Sequence, residues 1–353
     1  MPLTYFSCQD FRCLRHVELE ADPRFTLIQG ANASGKTSLL EAIAYIGRGR
    51  SFRNASTESL VRYGAAEFLL NGRVEQADRA RRIGVRNGGG GLELSVDGDR
   101  GGGLAELAAA LPLQVIDPDV HNLVAGGPDQ RRRYFDWVGF HVEHAFLERW
   151  RRFRRVLKQR NAALKDGAGG LDAWDREYCE AGERLHESRA RVMALLVPVL
   201  EAAAAGLLDE PVHFAYQRGW RAELTLAEAL LASRERERQL GSAQVGPQRA
   251  ELRLRVEERL ARKLVSRGQQ KLLACAMVLA AADAVQAALE RPLLLLMDDP
   301  AAELDAASLR RLMGRVAGLE CQVIATALVA NPDAFPAGLS LFHVERGELR
   351  PAS

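Results

Sequence analysis

The chain has 353 residues, 47% hydrophobic and 27% charged, a balance that argues against disorder and supports one large core or two ordinary ones. Lys plus Arg outnumber Asp plus Glu by 48 to 46, so net charge announces no polyanion partner and any basic surface must come from local clustering. Cys8, Cys13, Cys179, Cys275 and Cys321 are scattered without CxxC spacing, which speaks against a zinc site or a disulfide framework and predicts reduced thiols.

The N-terminus enters strand-like alternation directly (Leu3, Tyr5, Cys8, Phe11), with no basic-then-apolar leader, so no signal or transit peptide is expected. Phe25-Thr26-Leu27-Ile28 reads as an apolar strand, and residues 38–45 as a helix beyond a glycine loop. Residues 82–96 alternate around Asn87-Gly88-Gly89-Gly90-Gly91, the composition of a hairpin or open loop. Gly101, Gly102 and Gly103 mark a further break. From Pro128 to about Gly206 the pattern is helical and heavily charged; Gly167, Gly169 and Gly170 separate two long helices of an antiparallel hairpin. A strand at 212–220, a helix at 224–240 and a strand at 252–256 follow. The most apolar stretch, 272–289, is alanine-rich and carries Asp283, so it reads as a buried helix rather than a bilayer span of ~18 or more uncharged residues. The fold expected is α/β: a head with a mixed sheet and flanking helices from residues 1–128 plus 245–353, interrupted by a mostly helical arm over 129–244.

Gly30-Ala31-Asn32-Ala33-Ser34-Gly35-Lys36-Thr37 fits the G-x-x-x-x-G-K-[ST] loop between a strand and a helix. Gly30 and Gly35 let the backbone curl so that its N–H groups face a phosphate, and the helix N-terminus adds positive potential. Ser38 continues the loop into the helix. Lys36 is expected to contact the terminal phosphates of ATP, and Thr37 to offer its hydroxyl to Mg²⁺. The apolar run 293–297 ends in Asp298-Asp299-Pro300, as a buried parallel strand would. Asp298 is the expected metal carboxylate, and Asp299 the carboxylate that orients attacking water.

Ser266-Arg267-Gly268-Gln269-Gln270 opens the long apolar helix about 30 residues upstream of the double aspartate. A serine and glycine at a helix start make an anion site. Ala302-Glu303-Leu304-Asp305 follows downstream. Glycine loop, signature, double aspartate and D-loop occur in the order of an ABC-type P-loop ATPase head. There Ser266, Gly268 and Gln269 of one subunit, with Asp305, close on ATP held by another. Ser266 therefore joins Lys36 and Asp299 as a candidate catalytic residue.

Within that superfamily the chain resembles the RecF family along nearly its whole length. The resemblance rests on Phe11-Arg12, on Thr37-Ser38-Leu39-Leu40-Glu41-Ala42-Ile43, and on Gly49-Arg50-Ser51-Phe52-Arg53. Asp117-Pro118-Asp119 with Gly126, Pro128 and Arg131-Arg132-Arg133, and the signature and D-loop above, extend it. It implies a cytoplasmic recombination mediator that forms an ATP-dependent homodimer and binds duplex or gapped DNA. It further implies work with RecR and RecO to aid RecA loading, with slow ATP hydrolysis acting as a timer and no membrane association. Gly246-Pro247-Gln248-Arg249-Ala250-Glu251-Leu252 departs from the family's G-P-H-R-D-D-L, Arg267 replaces a more usual glutamine, and Thr326-Ala327 stands where many ABC ATPases have a switch histidine.

Arg149, Arg151, Arg152, Arg154, Arg155, Lys158 and Arg160 crowd one predicted helix, leaving Trp150, Phe153, Val156 and Leu157 for packing. Arg151, Arg152 and Arg155 there, with Arg50 and Arg53 on the head, are candidate duplex contacts of the phosphate-reading kind. Pairing with nearby acids is the alternative for such a run. His121, His141 and His144 lack metal spacing, and Gln114 is a candidate Mg²⁺ sensor. Two other functions share the motifs: the ATPase subunit of a membrane transporter, and a scaffold that binds DNA and ATP without hydrolysis.

Overall fold

The computed structural model describes residues 3–53, 56–76, 79–166, 171–257, 259–302, 304–329, 335 and 338–352. Gly167, Gly169, Gly170 and Glu303 lie outside the described residues. The chain divides into two compact units, Met1–Val120 with Glu290–Ser353, and His121–Leu289.

In the first unit, β1 (Leu3–Phe11) and β2 (Leu14–Glu20) form a hairpin, β3 (Phe25–Gln29) leads into the glycine loop, and α1 (Lys36–Arg48) follows. After α2 (Thr57–Leu60), strands β4 (Glu67–Gln76), β5 (Arg79–Gly88) and β6 (Gly91–Val96) complete a sheet of order β2-β1-β4-β5-β6. Gly88 pairs with Gly91, so Gly89-Gly90 form the two-residue hairpin loop read from the glycine run. α3 (Leu104–Ala110) and β7 (Leu113–Ile116) close this half.

The second unit holds α4 (Asn122–Ala125), α5 (Pro128–Val142), α6 (Phe146–Asp166), α7 (Leu171–Ala205), β8 (Val212–Gln217), α8 (Leu226–Leu240), β9 (Glu251–Val256), β10 (Arg259–Leu260), α9 (Ala261–Leu264) and α10 (Arg267–Leu289). α6 and α7 run antiparallel: Arg152 meets Glu180, Phe153 meets Tyr178, and Arg160 meets Asp175. Phe146, Phe153, Val156, Tyr178, Leu185 and Leu226 form its apolar cluster. Arg160 is fully buried, 2.7 Å from the equally buried Glu237 and stacked on Tyr178.

The chain returns to the first unit with β11 (Leu294–Met297), α11 (Ala306–Ala317), β12 (Gln322–Ala327), β13 (Ser340–Glu345) and β14 (Glu348–Pro351). These join β3 and β7 in a six-stranded sheet of order β14-β13-β3-β12-β11-β7, parallel except for β14. β11 and β12 are buried throughout, which explains an apolar run without alternation. α1 packs Leu39, Leu40, Ile43 and Ile46 into one core with Phe6, Leu70, Val85, Leu296 and Ile324.

The expected division placed 245–289 with the head and broke the chain after residue 128. In the structure the break falls after Val120, and α10 groups with the helices. α10 packs on α5 and α7, and the Tyr134 hydroxyl donates to the Met277 carbonyl at 2.8 Å. Among the described residues only α10 is long and apolar enough to cross a bilayer, and 67% of its apolar window is buried.

Candidate functional site

The loop between β3 and α1 is held by the first unit's own sheet. Gly30 donates its N–H to the Ala327 carbonyl, and the Ser34 carbonyl accepts from the Gly347 N–H at 2.9 Å. A Cβ on Gly30 would lie 2.4 Å from the Val344 carbonyl oxygen. Gly35 adopts φ 115° directly before α1, with Cys13 and Leu14 against it. These two glycines are therefore required by close approach and by backbone conformation respectively.

Lys36 is buried, and its Nζ donates to the carbonyls of Gly30 and Ala31 at 2.6 and 2.9 Å. No carboxylate pairs with it among the described residues, so the ammonium sits inside the loop with carbonyls alone. The Ser34 hydroxyl is buried without a hydrogen-bond partner. An orphaned hydroxyl, a buried cation without counter-ion and a glycine-shaped cradle together fit a polyphosphate.

Parallel register brings the carboxyl ends of β7, β11 and β12 level. Met297 pairs with both Ile116 and Ala325, placing Asp298 beside Asp117 and Thr326. Asp298 is nearly buried; it accepts from Thr37 Oγ1, 3.0 and 2.9 Å from its two oxygens, and from Thr326 Oγ1 at 2.9 Å. Burial raises its pKa, hydroxyl hydrogen bonds from Thr326 and Thr37 oppose this, Asp299 adds to it and Arg53 opposes it. Asp117 is pushed up to about 6, chiefly by burial and then by Asp119, with Arg48 opposing and Asp298 contributing. Desolvated carboxylates facing hydroxyls, with like charges beside them, suit a divalent cation. Thr37 and Asp298 would hold Mg²⁺, which when bound would neutralise the phosphate charge.

Asp299 has φ 46° and donates its backbone N–H to Thr326 Oγ1 at 2.9 Å. Its half-buried carboxylate is thus carried on a fixed backbone next to Asp298. Thr326 was read from the sequence only as a missing histidine, yet it bridges both aspartates. Its signal was register: it is the residue just past the last β12 position that pairs with β11. Gln114 does not reach this end. It pairs with Leu295, three residues before Asp298, and its Oε1 faces Arg48 Nη2 at 3.5 Å. Asp117 is the residue that flanks Asp298.

Asp305 caps α11, accepting from the Ser308 N–H and hydroxyl at 2.8 and 2.7 Å, which hold its carboxyl below the usual range. In the second unit, Ser266 and Gln269 cap α10 reciprocally: Ser266 N–H donates to Gln269 Oε1 at 2.8 Å, and Gln269 N–H to Ser266 Oγ at 3.3 Å. Ser266 is exposed, and nothing lies within 4 Å of where a Gly268 Cβ would be. The signature is therefore an open helix N-terminus.

The basic helix α6 splits into two sets. Arg149 bonds Glu143 and Ser188, Arg152 bonds Glu177 and Glu180, and Arg160 is internal. Arg151 and Arg155 are exposed and have no ion-pair partner among the described residues. Arg152, expected at a duplex, is thus engaged in bracing α6 against α7. In the first unit Arg50 and Arg53 are exposed on the loop after α1. Ser51 fixes that loop: its hydroxyl donates to buried Glu41, which Arg12 also grips at 3.0 Å twice, and accepts from the Arg53 N–H at 2.9 Å. The departing loop 246–252 is tied to α5 and α7. Gln248 accepts from the Tyr178 hydroxyl at 2.7 Å, Pro247 O accepts from Arg189 at 2.7 Å, and Glu251 takes Arg131 at 2.8 and 3.0 Å.

Residues 2–334 match the family model described as RecF/RecN/SMC N terminal domain. The chain is 39% identical over 359 residues to the DNA replication and repair protein RecF of Pseudomonas fluorescens (strain SBW25), covering 99% of this chain and 98% of that one. It is 40% identical over 352 residues to the RecF of Azotobacter vinelandii, covering 96% and 95%. A solved structure of the recombination mediator protein RecF with ATP in the RecFOR pathway superposes with TM-score 0.89 at 24% identity, covering 99% of this chain and 97% of that one. The head of an Smc protein bound to a ScpA domain gives TM-score 0.63 at 16% identity, covering 100% and 97%. These structural likenesses establish the α/β ABC-type ATPase fold, and the sequence identities establish the relationship: the chain belongs to the RecF family.

Proposed function

We propose that the chain is an ATP-gated DNA-binding protein of recombinational repair, acting in the cytoplasm as a dimer that closes on MgATP. The observation that carries this reading is the Thr37–Asp298 contact, together with the buried, unpartnered Ser34 hydroxyl in the same loop, which supports a metal and phosphate site. Lys36, Thr37 and Asp298 hold MgATP. Ser266, Gly268 and Gln269 of the second copy meet its γ-phosphate, with Asp305 at the same junction. Asp299 orients water; an aspartate reaches less far than a glutamate, which supports slow hydrolysis used as a timer.

Exposed Arg50, Arg53, Arg151 and Arg155 are the proposed contacts to duplex or gapped DNA, read through phosphates and not bases. RecR, RecO and RecA are the partners proposed from the family. Bonds from Tyr178 and Arg131 to Gln248 and Glu251 support a departing loop that is still held in place, so its altered sequence alone does not favour a scaffold without hydrolysis. The test is binding to gapped duplex DNA at fixed salt, with and without ATP, beside Lys36→Ala. ATP-stimulated binding absent from the variant supports the reading; no DNA binding in either state overturns it.

A further inference from the structure

The five-stranded sheet has a basic end that no function above uses. β6 ends at Val96, opposite Ile83, so residues 79–82 of β5 run on as a sheet edge. Only Arg82 is closed there: its N–H donates to Asp97 Oδ1 at 2.8 Å and its carbonyl accepts from the Asp97 N–H at 2.7 Å. An open cavity of about 860 Å³ follows this edge, lined by Arg79, Ala80, Arg81, Arg82, Asp97 and Gly98.

Arg82 stands directly opposite Arg73 of β4. Both are exposed, and neither has an ion-pair partner among the described residues. Like charges at facing cross-strand positions destabilise a sheet, a cost that a bound anion would remove. Arg79 is exposed as well. Arg81 alone is neutralised, by Asp97 at 2.9 Å and Glu106 at 3.8 Å. Glu75, opposite Ala80, is the nearby acid on the Arg73 strand, and it forms no ion pair with either arginine.

Side chains alternate between faces along β5, so Arg82 shares the exposed face with Arg73, whereas Arg79, three residues away, belongs to the face of Ile83 and Val85. The cavity wall has no large apolar side chain. Protein interfaces centre on aromatic and apolar groups, whereas nucleic-acid interfaces are polar and strongly positive. We infer that the facing pair Arg73 and Arg82 forms a second contact for the phosphate backbone of duplex DNA. The inference rests on the DNA-binding function proposed above.

The register also sets its relation to ATP. Arg73 faces Tyr5, near the start of β1, while the phosphate loop abuts Cys13 and Leu14 past the end of β1. The two sites share no residue, so this contact is expected to add to binding in both nucleotide states, beneath the gating by ATP.

The test is duplex affinity against salt, with and without ATP, for the whole chain, for Arg73→Gln/Arg82→Gln, and for Arg50→Gln/Arg53→Gln. The sheet variant should lose about tenfold in affinity at low salt in both nucleotide states. Its salt slope should fall by about two, since each lost phosphate contact removes about 0.9. Its ATP turnover without DNA should stay unchanged and its melting temperature should not fall. An unchanged slope, with DNA binding lost only in the Arg50/Arg53 variant, overturns this inference and leaves the proposed function standing. Failure of the unaltered chain to bind duplex overturns both.

Discussion

In the helical unit each deeply buried arginine has a carboxylate. Arg160 lies between Glu237 and Asp175, Arg189 grips Asp136, and Arg131 grips Glu251. At the carboxyl ends of β7 and β11 the arrangement is reversed. Asp298 is nearly buried among hydroxyls, with Asp117 and Asp299 beside it and no ion pair among the described residues. Matched charges of the first kind specify packing. Unmatched carboxylates of the second kind leave a deficit that a divalent cation and its nucleotide would fill.

The comparison breaks most readily in the helical unit. Arg160→Ala strands the fully buried Glu237 and should cost about 3–5 kcal/mol in urea unfolding. Replacing both partners, as Arg160→Met/Glu237→Leu, should recover most of that loss. If the double variant is no more stable than the single, the pair is not acting as matched charge. Asp298→Asn should do the opposite to folding. Stability of the metal-free chain holds or rises, while Mg²⁺-dependent ATP turnover drops about a hundredfold.

Smaller effects sharpen the boundary. Thr326→Val removes the hydroxyl that bridges Asp298 and the Asp299 N–H, and should weaken Mg²⁺-dependent ATP binding about tenfold in titration calorimetry. Equal binding would reassign Thr326 to packing. The smallest effect concerns pH. The Asp117 pKa rises from 3.8 to about 6 on folding, so the folded state holds the proton more tightly than the unfolded state. Its contribution to stability is therefore present below pH 4 and is lost as pH rises through about 6. Asp117→Asn should match the native chain in melting temperature near pH 4 and exceed it at pH 7. Identical curves at both pH values would remove Asp117 from the account.

Local chemistry was legible where one segment makes the whole feature. The phosphate loop, the strand before it, Asp298 and the capped start of α10 each follow from a few contiguous residues. Features made by register were not. Gln114 looked suited to the metal because it lies near the Asp117 loop, but pairing with Leu295 sets it three residues short of Asp298. Thr326 looked like an absence because its partners are brought level only by β11 pairing with β12. The charge run of α6 resolved only through α7 and α8, whose acids engage Arg152 and Arg160 and leave Arg151 and Arg155 exposed. The grouping of α10 with α5 and α7 is likewise not written in its own composition.

The central claim is that the unmatched carboxylate end of the parallel sheet holds Mg²⁺ with ATP. Its most direct test is ATP affinity by titration calorimetry with Mg²⁺ and with chelator, for the native chain and Asp298→Asn. The account predicts tight binding that needs Mg²⁺ in the native chain and a weak, Mg²⁺-independent residue of binding in the variant. Mg²⁺-dependent affinity that survives unchanged in Asp298→Asn would contradict it.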